Sequence, residues 1–270
     1  MAGSVQLAMD LRVPNRWGGA RKGAGRKRSA TRRDPIHDTR PDVSRHQPQH
    51  AVLRTVKGLP RLRTPKIYEA IRGAMAKLLE KPDFRVVQMS IQHNHLHFVV
   101  EAENKDALSH GMRALAIRCA RAINKVLGRT GRVFAYRYHA TPITSPRQMR
   151  HLLSYVLNNW RHHQEDERST RARQALVDPY SSALDFTGWK ERFAIPPEYR
   201  RLPVARAQTW LVNVGWKRHG PISVYEVPGR RYAFRPRGLP RDVNSRGFNT
   251  QSKSRTVVGS ARSTAAEARR

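Results

Sequence analysis

The sequence predicts an α+β fold: a ferredoxin-like, split-βαβ antiparallel sheet with an added C-terminal tyrosine-bearing helix, flanked by disordered basic tails. Three observations carry this expectation. Apolar residues switch between a period of two and a period near 3.6 in the order β-α-β-β-α-β-α over about residues 48–165. Helix start and stop signals sit at the switches. Both ends of the chain lose hydrophobic period altogether.

The elements follow in order. HAVLRTVKGLP (50–60) suits a first strand. TPKIYEAIRGAMAKLLEK (64–81) opens with Thr64 as N-cap and Pro65 behind it, then places Ile67, Ile71, Met75, Leu78 and Leu79 at helical spacing. FRVVQMSI (84–91) and HLHFVVEAE (95–103) are two strands joined by a tight turn. DALSHGMRALAIRCARAINKVLG (106–128) is a long amphipathic helix stopped by Gly128. GRVFAYRYHATPI (131–143) is the fourth strand. SPRQMRHLLSYVLNNWRHHQ (145–164) is the third helix, with Ser145 as N-cap and Pro146 next. The first six elements lay two helices on one sheet face, and the third helix can lie against the other face or near its edge.

Around this core, residues 1–47 are expected to be a disordered basic arm, within which GGARKGAGRKR (18–28) resembles a minor-groove-inserting segment. Residues 166–235 form a Trp-rich extension carrying Trp189, Trp210 and Trp216, with one helix and one turn or short strand expected. Residues 236–270 are expected to be a disordered basic tail.

The composition narrows the function. Lys and Arg number 52 against 20 Asp and Glu, a net charge of +32. A chain this basic attracts polyanions, and nucleic acid is the polyanion it suits best. A single cysteine, Cys119, excludes a disulfide framework or a cysteine-based zinc site within one chain. No stretch approaches the apolar length of a membrane span, so a soluble, cytoplasmic and nucleoid-associated protein with no membrane partner is expected.

The chemistry begins in IQHNHLHFVVE (91–101), where His93, His95 and His97 occupy alternate positions. Alternation sends these side chains to one face and Leu96 and Phe98 to the core. Two imidazoles on one face of a rigid strand can meet at one divalent cation; they can equally be ordinary half-exposed strand histidines. In the third helix Met149, Leu152, Leu153, Val156, Leu157 and Trp160 form an apolar stripe. Tyr155 and Asn159, four apart, stack at its border, so a phenol and an amide are offered beside the histidine strand.

Here the chain resembles a known family, the HUH single-strand DNA transposases with one catalytic tyrosine, which include the insertion-sequence-200 type and the REP-associated tyrosine transposases. NHLHFVVE (94–101) looks like the family's Asn-His-hydrophobic-His strand. YVLNN (155–159) looks like its Tyr-x-x-x-Gln/Asn signature, and RYHATPI (137–143) like the strand before that helix. The resemblance covers about residues 48–165. It implies that His95, His97 and Asn159 hold Mg²⁺ or Mn²⁺, with His93 as an auxiliary, and that Tyr155 is the nucleophile. Cleaving and rejoining would then run through a 5′-phosphotyrosine on single-stranded DNA, whose element ends in this family are often hairpins, with a homodimer allowed. Two departures stand out: Gln92-His93 replaces the Pro often found before Asn-His, and Trp160 follows Asn159 where REP-associated members often have Pro.

For the DNA itself, Arg113, Arg118, Arg121, Arg137, Arg147 and Arg150 lie near the proposed site in sequence. Trp210, Trp216, Lys217 and Arg218 form a candidate surface for the ends. Two rivals stay open: a non-catalytic nucleic-acid-binding protein on the same scaffold, and a domesticated relative that processes dispersed repeats. A hydrolytic nuclease fits less well, because no cluster of acidic ligands accompanies the histidines.

Overall fold

In the computed structural model, residues 42–228 are described, with 80, 196 and 198 excepted. The predicted basic arm up to residue 41 and the tail from residue 229 lie outside the described residues. The elements are β1 (Gln49–Arg54), α1 (Pro65–Ala76), β2 (Phe84–Ile91), β3 (His95–Ala102), α2 (Lys105–Val126), β4 (His139–Pro142) and α3 (Pro146–His162). They are followed by α4 (Thr170–Gln174), a 3₁₀ turn (Ser182–Asp185), α5 (Trp210–Asn213) and a second 3₁₀ turn (Gly215–His219). The strands form one sheet in the order β2-β3-β1-β4, with antiparallel neighbours throughout.

Local chemistry sets the helix starts where the sequence placed them. The Thr64 hydroxyl accepts from the Ile67 N–H, and the Ser145 hydroxyl accepts from the Gln148 N–H, each followed by proline at the first helical position. Gly128, just beyond α2, takes φ 60°, a left-handed conformation that favours glycine.

One sheet face is packed by an apolar layer. Ala51 and Leu53 of β1, Met89 and Ile91 of β2, and Leu96, Phe98 and Val100 of β3 pack against Ile67, Ile71 and Met75 of α1 and Met112, Leu115 and Cys119 of α2. Burial pushes the Cys119 thiol up to about 12, so it stays protonated there. At Gly111 α2 comes so close that an added Cβ would lie 2.1 Å from the Phe84 ring.

The opposite face is closed by α3. Val87 and Val99 pack with Met149, Leu152, Leu153, Val156 and Leu157, and the same layer continues into Ala183, Leu211, Trp216, Ile222 and Val224. Residues 177–224 thus complete the core on this face. The buried Glu101 carboxylate, at the far end of β3, accepts from the Gln208 N–H and from the Thr209 N–H and hydroxyl, tying the segment before α5 to the sheet.

The predicted fourth strand, 131–143, is corrected to His139–Pro142, with Phe134 making only an isolated bridge to Thr55. Its earlier part stays beside β1, with the Val56 N–H donating to the Val133 carbonyl at 2.9 Å and the Ala135 N–H to the Arg54 carbonyl at 2.8 Å, but the pairing breaks over residues 136–138. No described helix is long and apolar enough to cross a membrane.

Candidate active site

β3 begins at His95, and its alternation decides everything that follows. Leu96 and Phe98 enter the apolar layer, so His95 and His97 leave the sheet toward α3. His97 is buried at 4% exposure. The two Nε2 atoms face each other at 2.9 Å. Behind them, the His97 Nδ1 lies 3.1 Å from Nε2 of His50 on β1, and the His95 Nδ1 lies 2.8 Å from Oδ1 of Asn94.

The amide oxygen of Asn94 can only accept, so His95 carries its proton on Nδ1 and turns a lone pair outward at Nε2. When His97 donates from Nδ1 to His50, its own Nε2 lone pair faces that of His95. In the alternative tautomer the bonds run the other way, from His50 through His97 to His95. His50 and His97 are kept neutral by their surroundings. Burial, helped by the neighbouring His139, pushes His50 down to about 3. Burial first, then His95, His50 and His163, pushes His97 well below the usual imidazole value.

α3 lies across this group. The Tyr155 ring meets His97 edge-on at 5.2 Å and His50 at 6.0 Å. His163, the C-cap of the same helix, meets His95 at 5.9 Å. Asn159 stands midway between them on the same helical face. It is fully buried, and neither its amide oxygen nor its amide nitrogen has a hydrogen-bond partner among the described residues. Burial raises the Tyr155 phenol above its ordinary value, so it is protonated at neutral pH.

The donor set fits a divalent cation. With metal–nitrogen bonds of about 2.1 Å, two ligands at right angles stand about 3 Å apart, close to the separation of the two Nε2 atoms. The unsatisfied Asn159 amide supplies an oxygen in the same quarter. Among the described residues, no group of three or more His, Cys, Asp or Glu is placed to hold a metal.

Several sequence expectations are placed elsewhere. His93 stands exposed in the β2–β3 turn, outside the strand, so the three-histidine alternation is reduced to two. Arg113, Arg118 and Arg121 are exposed on α2, across the sheet from the histidines. Arg137 and Arg147 are exposed near β4 and the start of α3. Arg150 is committed to Glu226 through contacts of 2.5 and 2.7 Å. Trp216 is buried at 4% exposure, so its indole has no face to offer a base and it belongs to the core. Trp210 is 47% exposed, with the Arg218 guanidinium 4.8 Å from its ring centre, and Lys217 is exposed beside them.

The sequence reasoning missed His50, His163 and Arg54. Arg54 pairs with His95 across β1 and β3, so by alternation it leaves the sheet on the histidine face. His50 lay in plain view at the start of an apolar run, two residues before Val52, the register partner of His97.

No curated protein matches the chain. Among solved structures, a REP-associated tyrosine transposase bound to a REP hairpin is similar at 16% identity and a TM-score of 0.44, covering 56% of this chain and 84% of its own. The model of the family described as "Transposase IS200 like" matches residues 45–159, which take in β1 through Asn159. Through that segment, which is less than half of the chain, this protein is similar to the IS200-like transposases.

Proposed function

We propose that this domain cleaves and rejoins single-stranded DNA, with Tyr155 as nucleophile and His95, His97 and Asn159 as holders of Mg²⁺ or Mn²⁺. The observation that supports it most is the edge-on contact of Tyr155 with His97, whose Nε2 faces that of His95 at 2.9 Å, all within one chain. The strand order β2-β3-β1-β4 agrees with the ferredoxin-like plan, with the tyrosine helix added on its second face.

The residues divide the work. His50 and Asn94 hold the outer nitrogens of His97 and His95, fixing both rings with Nε2 inward. A bound divalent cation supplies Lewis-acid polarisation of the scissile phosphate. Arg54, on the same face, places a permanent positive charge next to the phosphate oxygens. The Tyr155 oxygen attacks phosphorus and gives up its proton as the new P–O bond forms. The bond to the 3′-side oxygen breaks, and that oxygen leaves as a 3′-hydroxyl. The phosphotyrosine retains the energy of the broken ester, so another 3′-hydroxyl can reverse the step and join strands.

The non-catalytic rival, which stacks bases on an open sheet face, is disfavoured by α3 and residues 177–224 covering that face. The test is a denaturing gel of the protein with labelled single-stranded DNA from the flanks of its own gene, with Mn²⁺ or EDTA. A covalent adduct that needs Mn²⁺ and disappears in Tyr155→Phe is expected. Tight DNA binding with no adduct on any flank would overturn the catalytic reading.

A further inference from the structure

Gln92, the residue that follows β2, is fully buried, and its Oε1 has no hydrogen-bond partner among the described residues. A buried amide oxygen nearly always meets a donor or a cation, so this one needs an occupant. The ladder places it. The Gln92 N–H donates to the His95 carbonyl at 2.9 Å, which extends the β2–β3 register one pair beyond Ile91 and Leu96. Met89 and Ile91 enter the apolar layer under α1 and α2. By alternation Ser90 and Gln92 leave the sheet on the other face, beside His97 and His95. Cross-strand neighbours on one face hold their Cβ atoms about 5 Å apart. The Gln92 Nε2 donates to the Ser90 Oγ at 3.1 Å, so the side chain runs back along β2 beside the row of His95 and His97. Nε2 is thereby occupied, and Oε1 is left over.

The chemistry of the metal centre suits such an atom. Among the described residues no carboxylate joins the histidines in a metal-holding cluster. His95, His97 and Asn159 are neutral donors, so none offsets the charge of a cation, and its retention depends on how many donors it meets. Mg²⁺ and Mn²⁺ favour oxygen ligands in an octahedron, which three side chains only half fill. We infer that the Gln92 Oε1 is a fourth protein ligand of the divalent cation. It also biases the centre toward Mn²⁺ or Mg²⁺ over Zn²⁺, because Zn²⁺ is satisfied by four ligands in a tetrahedron. Two octahedral positions then remain for phosphate oxygens. This rests on the metal centre proposed for strand transfer, and adds to its ligands.

The test measures Mn²⁺ and Zn²⁺ affinity of the full chain by calorimetry, without DNA, for the wild type, Gln92→Met, Gln92→Glu and His97→Ala. Gln92→Met keeps the length of the side chain and removes the oxygen. It should weaken Mn²⁺ binding about tenfold or more. Zn²⁺ binding should change by less than about threefold, since water can take the fourth tetrahedral position. Gln92→Glu, which keeps an oxygen there and adds a charge, should bind Mn²⁺ at least as tightly as the wild type. Unchanged Mn²⁺ affinity in Gln92→Met would show that the oxygen meets no metal. Loss of both metals in equal measure would show that Gln92 only supports the turn. Either result overturns the assignment, as would Gln92→Glu binding Mn²⁺ more weakly than the wild type. A centre that loses Mn²⁺ with His97 but not with Gln92 keeps the metal and dismisses Gln92. Mn²⁺ binding that is absent, or indifferent to His97, removes both.

Discussion

The two faces of the sheet are built from the same strands, yet they obey different rules. Toward α1 and α2, β3 sends Leu96, Phe98 and Val100 into an apolar layer. Toward α3 it sends His95, His97, Val99 and Glu101, and the buried polar residues His50, Ser154, Asn158 and Asn159 gather on that side. One face gains stability from area removed from water. The other must satisfy each buried donor and acceptor separately, and at Asn159 and Trp160 it does not. Local departures from full satisfaction are where a scaffold carries function, and three of them, at Asn158, Asn159 and Trp160, fall on consecutive residues of α3.

This contrast predicts opposite mutational behaviour. Phe98→Ala should cost about 3–5 kcal/mol of stability in urea unfolding, from lost transfer energy and a cavity that the packed layer cannot collapse. His97→Ala, one residue away, should cost about 1–2 kcal/mol and yet eliminate the metal-dependent adduct. If the two unfold alike, the faces are not energetically distinct.

The faces should also separate with pH. His50 and His97 are neutral in the fold and charge freely once unfolded, above all because burial disfavours the cation. Their folded values lie below the unfolded value of about 6.5, so the unfolded chain binds more protons as pH falls below 6.5. Stability is whole above that point. Below it, metal-free protein should lose about 1.4 kcal/mol per pH unit per histidine, until the folded values are reached. Denaturant midpoints in EDTA at pH 7, 6 and 5 measure this, and His50→Leu should roughly halve the slope. An unchanged slope would place the burden elsewhere.

The fold was more legible in the sequence than the site. Caps at Thr64 and Ser145, the stop at Gly128 and the bounds of β2 follow from local rules that tertiary structure had no reason to override. The fourth strand was overextended because its run along β1 breaks over residues 136–138, which no periodicity reveals. His95, His97, Tyr155 and Asn159 were legible because a strand and a helix each display their own spacing. His50 was not, because its partner is 47 residues away and becomes a neighbour only through the β1–β3 register. Trp216, read as a binding surface, proved to be core, because an aromatic amid basic residues looks the same in sequence whether it faces DNA or Val224.

The register-dependent contact of His50 can be tested directly. Groups that hold the outer nitrogen of a ligating imidazole typically contribute 10–100-fold in metal affinity. His50→Leu should weaken Mn²⁺ binding by about that factor in calorimetry. His50→Gln, whose amide oxygen can still accept from His97, should recover part of it. Equal losses would mean that His50 only fills space.

The smallest effect should come from the strap over the outer side of α3. The Asn158 amide donates to the Ser223 carbonyl at 2.9 Å, and Arg161 donates to the Val224 carbonyl at 2.7 Å. Glu226 accepts from Arg150 and from the Ser154 hydroxyl at 2.6 Å. Burial works to raise the Glu226 carboxyl, but the bonds from Arg150 and Ser154 outweigh it and hold the group below its usual value. Its contribution is therefore present above the ordinary carboxylate range and is lost as pH falls through the lowered folded value. Because the pair is partly solvated, Glu226→Gln should cost only about 1 kcal/mol or less. Hydrogen exchange should nevertheless quicken along 150–161, on the helix that carries Tyr155. Faster exchange there with unchanged exchange in α2 would show that the tyrosine helix is secured from outside the sheet. Uniform change along both helices would show that the strap contributes only to global stability.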